Sequence, residues 1–211
     1  MNASLTMPRV RPGAVAFAVA GVLFLLYPLV RPYSDESSMA GAQAIGSPAW
    51  VAAHMFAMVG FILLTLGLLA VHLLLNRPGS LRALVVTMIG AGLTLPYYGA
   101  EDFALNVIAA RAVRDGDPSL LQLVDEFRYQ PVAVTTFAAG LLLLGVGTVM
   151  AAIAIWRSGT LPRWSAVPLA AAFALFIPQF FSTDALRIAH GALTMAGALW
   201  MAWTLWRARR A

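Results

Sequence analysis

Cysteine is absent from the 211-residue chain, and so is lysine: all 14 basic residues are arginine. Without cysteine there is no disulfide, no thiolate metal ligand and no thiol nucleophile, and the redox state of the compartment leaves no mark on the sequence. The missing lysine reflects codon composition rather than chemistry. Charge is scarce altogether. Charged residues form 11% of the chain, against roughly 25% in soluble domains. Hydrophobic residues form 61%, and the mean hydropathy is +0.80.

The apolar residues fall in runs of about 20, the length that crosses a bilayer as a helix. The alternating segments of about ten residues that mark membrane β-strands are missing. The sequence therefore predicts an all-α, polytopic membrane protein: a single domain of six membrane helices over about 13–30, 48–75, 82–105, 131–156, 162–181 and 185–206. The first run exceeds the 7–15 apolar residues of a signal peptide and reads as a retained span. The pI near 10.4 does not indicate nucleic acid, because the arginines bracket the apolar runs and form no patch.

Charge also orients the chain. With the N-terminus in the cytoplasm, the inner segments hold Arg9, Arg11, Arg77, Arg82, Arg157, Arg163, Arg207, Arg209 and Arg210 and no acid. Every acid falls in an outer segment, with Arg31, Arg111, Arg114, Arg128 and Arg187. The positive-inside rule then places both termini on the cytoplasmic side of a bacterial-type cytoplasmic membrane. Between the third and fourth runs, Leu120, Leu121, Leu123, Val124 and Phe127 are spaced as a short amphipathic helix on the outer surface, with Ser119 and Gln122 placed for a capping box.

Polar residues inside membrane helices face the interior or a functional site. On helical wheels His54, Thr65 and His72 lie within about 20° of one line, and His190, Thr194, Gly197 and Thr204 within about 40°. Thr87, Gly90, Thr94, Tyr97 and Glu101 share a stripe if the helix continues through Pro96; Asp102 lies about 100° away. Helices two, three, four and six are thus expected to form an inner layer, with one and five facing lipid. Counted outward from the inner arginines, His54, Glu101 and His190 reach a similar depth near the outer boundary.

That cluster supports several chemistries. Two imidazoles and a carboxylate suit Zn or non-haem Fe with a position open to water. His54 and His190 are candidate axial ligands for haem, with Arg187 one turn away for a propionate. Glu101, with His54 or His190 as proton partner, suits metal-free acid/base work on a lipophilic molecule, such as cyclisation, isomerisation or hydrolysis. Tyr97 and Asp102 would support it. The alternative is a protein without catalysis, either a membrane subunit or a small proton-linked permease. The expected partners are the lipid bilayer and a lipophilic small molecule. The tryptophans near run ends read as interface anchors.

Overall fold

The computed structural model describes residues 7–208, with side chains from Val10 onward. It is all-helical, with no strand among the described residues. The side chain of Arg9, residues Arg209 and Arg210, and both termini lie outside the described part.

The chain opens with α1, Met7–Val30, which runs through Pro12 and Pro28. A short α2, Met39–Ile45, starts where Ser38 accepts a hydrogen bond from Gly41 N. In α3, Pro48–Leu75, Ser47 caps the first turn by accepting from Trp50 N, and Pro48 occupies a position where its missing N–H costs nothing. The helix stops at Asn76, which is left-handed (φ 46°).

Helix α4, Pro78–Gly99, passes through Pro96 without breaking. It runs into a wider π-helical turn, Ala100–Leu105, and then into α5, Asn106–Asp115. Together they make one continuous 38-residue rod, ended by left-handed Gly116.

Helix α6, Leu121–Arg128, follows a tight 3₁₀ turn at Pro118–Leu120. The Ser119–Gln122 capping box does not form. Asp117 accepts from Ser119 N instead (2.9 Å), because Pro118 fixes the turn one residue earlier than the box requires. Helix α7, Pro131–Ser158, is a full-length helix. The expected helix over 162–181 is two short pieces, α8 (Val167–Ala174) and α9 (Phe176–Gln179), separated at Leu175. Pro178 offers no N–H to bond the carbonyl at Ala174, so the helical ladder cannot run on unbroken. Helix α10 spans Asp184–Arg207.

Four segments are long and apolar enough to cross a membrane: residues 10–30 of α1, α3, the α4–α5 rod and α7. Their outward faces carry large apolar side chains, including Val15, Val19, Ile62, Leu66, Val85, Met88, Leu142 and Val146. Such a surface belongs against lipid rather than water. Helix α10 has 24 residues but is diluted by His190 and two threonines.

The helices close into a ring rather than two layers. Helix α7 packs on α4, α4 on α3, α3 on α1 and α1 on α10, and α8 bridges α10 back to α7. The first helix is not set apart toward lipid as expected: it turns Val15 and Val19 outward, but it is part of the ring like its neighbours. One face of α1 buries Phe17, Ala20 and Phe24, and Phe24 meets Phe61, Phe173 and Phe176 edge-on at the centre.

Backbones approach closely where glycines meet. A Cβ on Gly90 of α4 would lie 2.7 Å from Leu144 N and 2.8 Å from Gly140 O of α7. Buried Thr87 and Thr94 satisfy their hydroxyls on Ala83 O and Gly90 O within α4 (both 2.8 Å). Small residues and self-satisfied threonines are how helices pack where water offers no help.

Gly90→Ala therefore lowers stability by about 1–3 kcal/mol through overpacking. Gly92→Ala, which meets open space, does not. Unfolding in mixed micelles separates the two, and equal effects would contradict the close approach.

Candidate functional site

One end of the ring holds a cavity of about 500 Å³, within the range of about 300–1,000 Å³ typical of small-molecule sites. One wall is polar. It carries Arg31, Glu36, His54, Tyr97, Tyr98, Glu101, Arg128 and Arg187, with Tyr27. The facing wall is apolar, formed by Val134, Phe137, Ala138 and Leu141 of α7 and by Ile177, Phe180 and Phe181 at α9.

The polar wall is organised by ion pairs. Arg128, the last residue of α6, grips Glu101 with both prongs: Nε donates to Oε1 (2.7 Å) and Nη2 to Oε2 (2.8 Å). Its third nitrogen, Nη1, donates to Glu36 Oε2. The other Glu36 oxygen accepts from Arg31 Nη2 (2.6 Å). The chain Arg31–Glu36–Arg128–Glu101 thus ties the end of α1, the loop after it, α6 and the π-helical turn together. Both guanidinium groups lie over the Trp50 ring, at 4.5 Å and 5.8 Å. Trp50 Nε1 donates to Glu101 O (3.0 Å).

Burial pushes the Glu36 carboxyl up, but Arg128 and Arg31 outweigh it and hold it below its ordinary value. Arg128 loses by burial and gains more from Glu101 and Glu36, so its guanidinium is held charged more firmly than usual.

The structure gathers three of the five expected site residues. Glu101, His54 and Tyr97 line the cavity. Tyr97 stacks on Phe137 at 4.2 Å and points its hydroxyl to Arg128 O (3.4 Å). His54 is buried, with its ring 4.5 Å from that of Trp50. His54 Nδ1 lies 2.8 Å from Trp50 O. A carbonyl only accepts, so Nδ1 carries the proton and Nε2 keeps the lone pair in the neutral ring.

The other two lie elsewhere. His190 does not line this cavity. Its Nε2 donates to Ala172 O (2.8 Å), and it faces a small adjoining void with Phe24, Gln179 and Thr194. Asp102 is 1% exposed and also outside the cavity, with neither carboxylate oxygen hydrogen-bonded among the described residues. The wide turn at Ala100–Leu105 fits one more residue per turn than an α-helix, so both neighbouring acids are buried, Glu101 beside the cavity and Asp102 apart from it.

The metal and haem readings are corrected accordingly. No three His, Asp or Glu side chains are grouped to hold a metal ion among the described residues. Glu101 is committed to Arg128, and His190 to a backbone carbonyl. His54 and His190 border different spaces. Tyr27 lies 5.6 Å from the His54 ring and Phe176 lies 5.3 Å from the His190 ring.

Arg31, Glu36, Arg128 and Trp50 were not foreseen as site residues, and Arg187 only as a haem partner. The signal available was the unusual presence of arginine in short outer segments, against the general bias. Compared with models of known families, with curated proteins and with solved structures, the chain matches none. Function is therefore argued from the site alone.

Two outcomes follow from the ion pairs. The Arg128 and Glu101 side chains are 13% and 9% exposed, so Arg128→Gln strands a buried carboxylate and lowers stability by about 3–5 kcal/mol. Arg128→Lys recovers only part, because an ammonium cannot reproduce the fork. Chemical unfolding in micelles reads both, and a full rescue by lysine would contradict the two-pronged geometry. The second outcome concerns pH. Glu36 has a lowered folded pKa, so the stability it lends is complete above the ordinary value of about 4.3 and is lost as pH falls through the lower folded value. Hydrogen exchange over 121–128 should stay slow down to about pH 5 and rise only in stronger acid. An opening between about pH 7 and pH 5 would show that Glu36 is not held this way.

Proposed function

We propose that this is a six-span protein of the cytoplasmic membrane that binds a small lipophilic molecule in the outer half of its helix ring. In this reading the spans are α1, α3, α4 with its extension, α7, the broken α8–α9 pair, and α10. Both termini face the cytoplasm, and α5 and α6 form an outer cap. The arginine distribution supports that orientation.

One observation carries the functional reading: the 500 Å³ cavity combines an ion-paired, tyrosine-rich lining with an apolar one. That is the lining of a site for an amphiphile rather than a packing defect. The geometry favours binding over acid/base catalysis. Glu101 has both oxygens engaged by Arg128, so a substrate would have to compete with a two-pronged ion pair for this carboxylate. A second reading, a membrane enzyme, is supported by His54 alone, whose Nε2 remains available in the neutral ring.

The cysteine-free chain makes topology simple to test. Ser119→Cys should react with an impermeant maleimide from outside intact cells, and Thr160→Cys only after permeabilisation; the reverse pattern would invert the orientation. For function, native mass spectrometry of protein released from its own membrane should show a small-molecule adduct that Ala138→Trp removes by filling the cavity. An adduct that persists in that variant would place binding elsewhere. If His54→Gln leaves the adduct intact but unconverted material accumulates on it, the enzyme reading replaces the binding one.

A further inference from the structure

We propose that the occupant of this cavity carries one negative charge on an oxyanion head group, held at Arg187, while its apolar chain leaves between α7 and α9. This rests on the reading that the cavity holds a lipophile, and it names that lipophile's class.

Charge is the first ground. Three guanidinium groups line the cavity, Arg31, Arg128 and Arg187, against two carboxylates, Glu36 and Glu101. Arg31 and Arg128 consume both carboxylates between them. Arg187 has no carboxylate partner among the described residues. It donates through Nη2 to Phe180 O and lies 5.9 Å from the centre of the Tyr33 ring. One excess cation is neutralised by a monoanion, whereas a neutral head leaves it uncompensated and a cationic head adds to it.

Unmet hydrogen bonding is the second ground. Arg187 Nε is buried and has no hydrogen-bond partner among the described residues, and Arg187 lines both this cavity and the small void beside His190. A guanidinium only donates, so whatever group meets Arg187 must bring an acceptor. Carboxylate oxygens are suited to a guanidinium fork in both charge and shape. Buried donors without partners are rare enough that each calls for such an explanation.

The exit follows from the broken fifth span. With α9 only four residues long, the apolar wall is finished by Phe180 and Phe181. Phe181 is 88% exposed, and Tyr129 across the mouth 75%. A chain laid along Phe137, Leu141 and Ile177 emerges there among apolar side chains, as a lipid tail requires.

The test uses the full protein in nanodiscs at alkaline pH, where a fatty acid is ionised, with dodecanoate, dodecanol and dodecylamine as probes of equal chain length. Dodecanoate should bind at least about tenfold more tightly than dodecanol. Arg187→Gln should erase that preference, and Arg187→Lys should keep most of it. Ala138→Trp should abolish binding of both. Equal binding of acid and alcohol, both blocked by Ala138→Trp, would overturn the head-group assignment while leaving the lipophile site standing. Preference for the amine would overturn it likewise. If no probe binds, or if Ala138→Trp changes nothing, the cavity reading falls and this inference with it.

Discussion

The two-pronged bond between Arg128 and Glu101 is the contact on which the cavity end of this helix ring depends. It joins the end of α6 to the π-helical turn 27 residues earlier in the chain. Through Glu36 it reaches a further 65 residues back toward α1. Burying such charges is costly, and a well-packed apolar replacement can be as stable. What the pair provides is position. Arg128 accepts only one arrangement of Glu101 and Glu36, and that arrangement draws the α5–α6 segment over the ring and leaves the cavity beneath it.

Below that layer, packing follows a different logic. The centre of the ring is aromatic, and the closest approach of α4 to α7 is made at glycine and threonine. Gly90 meets Gly140, and threonine hydroxyls turn back on their own helix. The cavity forms where this packing stops. Helix α7 continues outward, but α8 ends at Ala174 and α9 covers only one further turn. The gap is what gives the polar wall an apolar partner.

Much of the helical architecture was legible in the chain. The apolar run 48–75 coincides with α3, and the runs 131–156 and 185–206 differ from α7 and α10 by one or two residues at their ends. Length and composition are local properties, and they read well. The inward stripe of the third helix drifted after Pro96: Tyr98, not Tyr97, is fully buried there, and Asp102 more so than Glu101. For the two acids the cause is the widened turn at Ala100–Leu105, which a wheel at a constant angle cannot anticipate; the tyrosines precede it.

The depth estimate for His54, Glu101 and His190 did not translate into one site, because depth says nothing about which side of Tyr27 a residue lies on. Above all, Arg31, Arg128 and Glu36 looked like ordinary outer-loop charges. Their pairing spans up to 92 residues of chain, and only the closed ring brings them together.

A double-mutant cycle on Arg128 and Glu101 tests the central claim most directly, with each replaced by methionine singly and together and unfolding measured in the same micelle. A buried pair that positions the cavity end of the ring should show a coupling above about 1.5 kcal/mol, the double variant being less damaged than the two single effects summed. Additivity within about 0.5 kcal/mol would mean the two side chains act independently, and would contradict the role assigned to the pair.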